Sequence, residues 1–303
     1  MESEFIISVP ASIGNLGSGF DCAAVSLRLF STYRVRTARQ LSIRVDDPRL
    51  PGDKSNLVWQ AYAQTRKILQ QPVLPLRLVI TNRIPPGAGL GGSGSAVVAG
   101  VLAAFLLAGR PVDTEEVLSC CLRMEKHPDN VAASLLGGFV LVAASDRLLY
   151  RSIPVPAGWK AVIFLPEKGY PTRQARQILP GKIDRQQATF NISRCAFLTL
   201  AFLEQKGYYL KTGMEDALHQ PYRAKLYPHL VPLCRTALAS GASGCCLSGA
   251  GPSVAAICCQ GTRKVEKNWR KLLLEKRWTG QVKVVALGGK TTWHCNRKIS
   301  GQI

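Results

Sequence analysis

The sequence predicts an α+β protein of two domains. Three observations carry this. A chain of 303 residues with 47% hydrophobic residues exceeds one ordinary core. Strand-like and helix-like segments alternate along it without an internal repeat or low-complexity stretch. A proline-rich change of register at residues 154–158 divides it near the middle.

In order, "FIISVPA", "YRVRT" and "LSIRV" cluster or alternate apolar residues between Pro and Gly, as strands do. A helix is expected over residues 56–70, then the strand "LRLVIT", a glycine-rich loop and a long helix. Residues 96–108 are mostly apolar but too short to span a bilayer, and Gly100 interrupts them, so they read as a buried core helix. "TEEVLSCCLRMEK" is a further helix with acidic residues at its start and Thr114 as N-cap, and "GGFVLVA" returns as a strand. Beyond the boundary come the strand "KAVIFLP" and then "SVAAICC", "TRKVEKNWRKLLLEK" and "QVKVVALG" as strand, helix, strand. That helix puts Val265, Trp269, Leu272 and Leu273 on one side and its basic residues opposite. The expected division is residues 1–155, residues 156–290 and a solvated basic tail at 291–303.

No arginine-rich or apolar leader precedes "MESEFIISVPAS", so a cytoplasmic protein is expected. Six of the ten cysteines form adjacent pairs in apolar segments and none has C-x-x-C spacing, which predicts free, reduced thiols. The net charge of +20 favours anionic partners. Because the basic residues are dispersed, with no run of five and no interleaved aromatics, small anionic substrates fit at least as well as nucleic acid.

The segment with chemical content is "RIPPGAGLGGSGSA", residues 83–96, between a strand and a helix. Three phosphate-binding readings compete for the glycines. "GGKTT" has the end of a P-loop, but Val284 stands where its first glycine belongs and no helix follows. Gly87-x-Gly89-x-x-Gly92 fits the dinucleotide fingerprint, yet Asp113 precedes a helix instead of ending a second strand. What remains is a glycine-rich loop at a helix N-terminus. Its N–H groups converge on phosphate oxygens, helped by the helix dipole and the hydroxyls of Ser93 and Ser95.

"PPGAGLGGSGSA" resembles the second motif of the GHMP small-molecule kinases, P-x-x-x-G-L-G-S-S. "VPASIGNLGSGFDCAAVSL" resembles their first motif and "LSGAGPSVAAI" their third. The three span nearly the whole chain. Within that superfamily, "EKHPDNVAASLLGGF", "ALHQPYRAKLYP" and "YPTRQARQILP" resemble segments of the homoserine kinases. The resemblance implies a two-domain GHMP kinase fold: an N-terminal ATP-binding domain like domain 2 of ribosomal protein S5, and a ferredoxin-like C-terminal domain. It implies phosphorylation of the side-chain hydroxyl of L-homoserine by ATP with Mg2+, a step towards threonine, in a possible homodimer with no nucleic-acid or membrane partner.

The same resemblance implies the site. The nucleotide would be met by Asn56, Arg83, Pro85, Pro86, Gly87, Ala88, Gly89, Leu90, Gly91, Gly92, Ser93, Gly94 and Ser95, with Ser93 and Glu125 holding Mg2+. Arg176 and Arg223 match positions for the substrate carboxylate, which suits the planar fork of arginine. Asp21 and Asn15 fit its ammonium, His127 lines the site and Asn130 touches the reacting hydroxyl. Asp129 is the candidate general base by residue type, direct transfer without a base being the alternative, and Thr172 would help orient the phosphoryl side. Three positions depart from the family pattern. Gly92 replaces the first of the paired serines, Lys126 a glycine, and Ala133 a proline. Two other functions stay open at this point: a GHMP-type kinase of another small alcohol, and a non-catalytic relative that binds anions or nucleic acid.

Overall fold

The structure is a computed structural model, and the description covers residues 3–125, 128–144, 148–167, 172–296 and 300–303. The first half holds strands β1 (Phe5–Gly14), β2 (Ala23–Thr37) and β3 (Ser42–Val45), helix α1 (Leu57–Ile68) and β4 (Leu76–Thr81). Helices α2 (Gly92–Leu107), α3 (Thr114–Leu122) and α4 (Pro128–Leu136) follow, then β5 (Phe139–Ala144) and β6 (Leu148–Ile153). The second half holds β7 (Lys160–Pro166) and helices α5 (Thr172–Gln177), α6 (Arg185–Leu203), α7 (Leu210–Gly213), α8 (Gln220–Arg223) and α9 (Leu230–Ala239). It ends with β8 (Gly244–Leu247), β9 (Val254–Cys258), α10 (Arg263–Lys276), β10 (Gly280–Ala286), β11 (Thr292–Cys295) and β12 (Ser300–Gln302).

Two sheets organise these elements. The larger runs β12-β11-β1-β2-β4-β3, with β5 joining the lower end of β2 and β6 joining β5; the smaller is β10-β7-β9-β8. The alternation read from "FIISVPA" places Phe5, Ile7 and Val9 against the helices. A register shift between Pro10 and Ser12 then re-aims β1, so that Ala11 and Ile13 join a second core shared with the smaller sheet. Helix α2 is apolar on every side and buried on nearly every side, as its composition predicts. Gly100 lets α1 cross it closely, because a Cβ there would collide with the Val58 carbonyl and the Ala61 side chain. On α10, Val265, Trp269 and Leu273 are buried and Leu272 partly so, which is the predicted face.

Two sequence expectations are corrected. The described part of 291–303 is not a solvated tail: β11 pairs with β1 and β12 with β11, so both strands extend the first sheet. Its alternation explains this, with Cys295 buried and Thr292 and His294 outward. The N-cap of α3 is Asp113, not Thr114, because the Asp113 carboxylate accepts the Glu116 N–H at 2.9 Å. Pro128 occupies the first position of α4, where its missing N–H costs nothing. All ten cysteines are free thiols, six of them buried.

Candidate active site

The first motif becomes the turn after β1. Asn15, Leu16 and Asp21 all have positive φ, of 68°, 45° and 56°. Each such residue costs of order ~1 kcal/mol, and clusters of them mark functional sites. Asn15 holds the turn in shape. Its Oδ1 accepts the Asp21 N–H at 3.0 Å, and its Nδ2 donates to the Gly249 carbonyl at 2.9 Å, tying the first motif to the third. The committed carbonyl makes Asn15 an orienter of Asp21 as well as a lining residue of the cavity beside it.

The second motif is the bend before α2. Gly91 is its N-cap, with φ 69° and no side-chain cap. The first helical bond runs from the Ser95 N–H to the Gly91 carbonyl, so the N–H groups of Gly92, Ser93 and Gly94 have no partner within the helix. Gly91 is required here, since a side chain would be strained at that φ and would strike Ser12 Oγ. The third motif packs on the bend, with Ser248 Oγ donating to the Gly89 carbonyl at 2.7 Å and Gly249 N–H to the Gly14 carbonyl at 3.0 Å.

Two cavities flank this bend. One of about 300 Å³ is mostly apolar and is lined by Tyr33, Leu57, Ile80, Ile84, Pro86, Gly87, Gly92, Ser93 and Ala96, with Asn56 and Asn82 at its wall. A smaller one of about 70 Å³ is lined by Asn15, Asp21, Gly89, Gly91, Ser93, Glu125, Asn130, Arg176, Arg223, Gly249 and Ala250. Ser93 lines both. It donates through Oγ to Glu125 Oε2 at 2.8 Å, bringing together the two expected magnesium ligands.

The charged end of the smaller cavity is asymmetric. Arg176 Nη2 bonds both Asp21 oxygens, at 2.7 and 2.8 Å, while both side chains remain about one-third exposed. Arg223 is buried. It donates from Nε to the Ala175 carbonyl and from Nη1 to the Gly249 carbonyl and to His219 Nδ1, each at 3.1 Å. Among the described residues no carboxylate bonds to it. Burial, and then Arg176 beside it, push its pKa down to about 10. Phe20 lies under both guanidinium groups, at 5.5 Å from Arg223 and 5.9 Å from Arg176.

Asn130 sits at the other end. Its Oδ1 accepts from Ser12 Oγ at 2.9 Å, and its Nδ2 donates to Asp129 Oδ2 at 3.1 Å. Asp129 is completely buried and is not among the residues that line the cavity.

Other expected residues fall outside the cluster. Ser95 is buried, with its hydroxyl 3.0 Å from Tyr33 OH, and its N–H is spent in the helix. Arg83 pairs with Asp46 at 2.9 Å and lines a further open cleft of about 580 Å³ with Asp47, Glu167 and Lys283, which shares Asn82 with the larger cavity. Asn56 lines the larger cavity while serving as N-cap of α1, accepting from the Val58 N–H at 3.0 Å. Pro85 lines the same cleft as Arg83, and Ala88 and Leu90 anchor the bend in the second core. His127 and the Thr172 side chain lie outside the described residues. Sequence reasoning missed Ser12, Phe20 and His219. All three stand inside quoted motifs, but nothing in their residue type set them apart from their neighbours there.

Comparison with known proteins shows the family of the chain. Residues 56–138 match the family described as "GHMP kinases N terminal domain", and residues 201–273 match "GHMP kinases C terminal". The homoserine kinase of Desulfitobacterium hafniense is 37% identical over 255 residues, covering 83% of this chain and 86% of that protein. That of a Synechocystis species is 39% identical over 261 residues, covering 84% and 85%. The crystal structure of homoserine kinase from Cytophaga hutchinsonii superposes with a TM-score of 0.85 at 28% identity, over 99% of this chain and 97% of that one.

Proposed function

We propose, for a chain that belongs to the homoserine kinase family of the GHMP kinases, that it transfers the γ-phosphoryl group of ATP to the side-chain hydroxyl of L-homoserine. The observation that carries this is the shared wall at Ser93. A base-sized apolar cavity and a small charged cavity meet at one glycine bend, so a nucleotide seated in the first reaches the second with its terminal phosphate. The N–H groups of Gly92, Ser93 and Gly94 receive the phosphate oxygens, and the α2 dipole adds positive potential there.

Ser93 Oγ and Glu125 Oε2 are hard oxygen donors already in contact, and they fit Mg2+, which takes few protein ligands and keeps phosphate and water for the rest. When bound it supplies charge neutralisation between the β- and γ-phosphates. The amino-acid end follows from charge. Arg223, buried and with no carboxylate bonded to it among the described residues, takes the substrate carboxylate in partnership with Arg176, and Asp21 takes the ammonium. Arg176 and Asp21 satisfy each other until the substrate's two charges replace that contact. The second N–H of Asn130 Nδ2 is free to meet the reacting hydroxyl. With Asp129 sealed beneath Asn130, the hydroxyl oxygen bonds the γ-phosphorus as the bond to the ADP leaving group breaks, and its proton passes to an oxygen of the transferred phosphoryl group without a dedicated base; the rate comes from positioning and charge.

We place the enzyme in the cytoplasm as a homodimer. Among the described residues no helix is long and apolar enough to cross a membrane. Ile192, Phe197 and Leu203 of α6 are exposed apolar side chains that a second copy would cover, and sedimentation velocity measures that state. The function is tested by a coupled ADP-release assay offering homoserine, mevalonate, galactose and shikimate in turn. Turnover confined to homoserine is expected, and turnover of another alcohol with homoserine inert would contradict it.

A further inference from the structure

His219 is completely buried, and both of its ring nitrogens are engaged. Nδ1 lies 3.1 Å from Arg223 Nη1, and Nε2 lies 2.9 Å from the Gly17 carbonyl. A guanidinium has no lone pair to offer, so Nδ1 must accept; a carbonyl can only accept, so Nε2 must carry the proton. The two contacts therefore admit a single protonation state, the neutral Nε2–H tautomer. An imidazolium would aim a second N–H at a buried cation.

The surroundings hold that state. Asp216 Oδ2 lies 3.5 Å from Nε2, on the protonated side, and its oxygens also accept the N–H groups of Leu218, His219 and Gln220, which fixes the start of α8. Phe20 stacks on the imidazole with ring centroids 5.2 Å apart. Gln220 Oε1 accepts the Leu247 N–H at 2.7 Å, fastening α8 to β8. Burial, opposed by Asp216 and reinforced by Arg223, lowers the His219 pKa to about 4.

We infer that His219 is a positioning residue for the substrate carboxylate: as an Nδ1 acceptor it turns the buried Arg223 guanidinium so that its remaining N–H donors face the cavity shared with Arg176 and Asp21. The assignment rests on the reading of that cavity as an amino-acid site. Three partners fix Arg223: the Ala175 carbonyl at Nε, and the Gly249 carbonyl and His219 at Nη1. Only the last is a side chain that can be exchanged for one lacking the acceptor. Its function is an oriented lone pair, not charge or proton transfer, so any side chain that presents an acceptor at the Nδ1 position should replace it.

Two substitutions separate this role from packing. His219→Asn keeps an acceptor where Nδ1 stood and loses the donor to Gly17; His219→Gln reaches Gly17 and loses the acceptor. The expected result is a homoserine KM raised about tenfold or more in His219→Gln but within about threefold of the parent in His219→Asn, with the ATP KM of both little changed. Equal KM effects in the two variants, or a loss confined to kcat, would overturn the inference. Nitrogen-15 NMR of the histidine rings in the parent protein tests it apart from the reaction. An Nε2–H tautomer at His219 is expected at neutral pH, and an Nδ1–H tautomer or an imidazolium would overturn the inference whatever the enzyme phosphorylates. If the parent enzyme ignores homoserine while the NMR result holds, the reading of the site fails instead.

Discussion

The two ends of the site are built from different material. The end proposed for the nucleotide is mostly backbone: a glycine bend, three N–H groups without a partner in the helix, and an apolar wall, all from residues 33–96. The end proposed for the amino acid is lined mostly by side chains, brought together from the turn after β1, Glu125, α4, α5 and α8, with the third motif and the glycine bend closing it. Backbone recognition suits a triphosphate, which is highly charged and forgiving in orientation. Side-chain recognition suits a small zwitterion, whose carboxylate, ammonium and hydroxyl must each be met in a fixed place. Substitutions should therefore act on one substrate at the charged end, and on both substrates or the fold at the bend.

Arg223→Ala should separate the ends most strongly. It removes a buried, cavity-facing guanidinium, so kcat/KM for homoserine should fall about a thousandfold while the KM for ATP stays within about threefold. Steady-state kinetics with each substrate varied in turn measures this, and equal losses for both would erase the division. Ser93→Ala, where the two cavities meet, should lower kcat about a hundredfold and raise the magnesium concentration needed for half-maximal rate. A magnesium titration of both proteins reads that shift.

Acid acts on the charged end through the fold. The His219 pKa is lowered from 6.5 to about 4, and burial lowers that of His229 as well. Above pH 6.5 both residues are neutral in the folded and unfolded chains. As pH falls from 6.5 towards 4, the unfolded chain takes up protons that the folded one refuses, and stability declines. For His219 alone the loss by about pH 5 is about 2 kcal/mol, and it levels off below about pH 4. Urea denaturation at neutral and acid pH measures the loss, which should shrink in His219→Asn. The smallest effect belongs to the bend. Gly91→Ala forces a side chain into left-handed backbone against Ser12, at a cost of about 1–2 kcal/mol of stability and a raised ATP KM.

Much of this is legible in the sequence. Strand alternation at Phe5, Ile7 and Val9, the uniformly apolar α2 and the one-sided face of α10 follow from side-chain period alone. The grouping of Ser93, Glu125, Asp21, Arg176 and Arg223 was legible only through the resemblance of their segments, since these residues lie far apart in the chain. What stayed hidden depends on who faces whom. A buried serine hydroxyl reads like an exposed one, so Ser95 and Ser93 looked equivalent, and only packing against Tyr33 removes the first. Arg83 was lost to a nearby Asp46 for the same reason. The chain end looked like a basic tail because its partner strand, β1, stands almost 290 residues earlier.

The division between the two ends is tested most directly with trimmed substrates. 3-Aminopropan-1-ol is homoserine without its carboxylate, and 4-hydroxybutyrate is homoserine without its ammonium. In the parent enzyme kcat/KM for 3-aminopropan-1-ol should fall about a thousandfold below that for homoserine, and in Arg223→Ala that gap should nearly close. A parent enzyme that phosphorylates 3-aminopropan-1-ol as readily as homoserine, or a gap left unchanged by Arg223→Ala, would mean that the buried guanidinium does not hold the carboxylate.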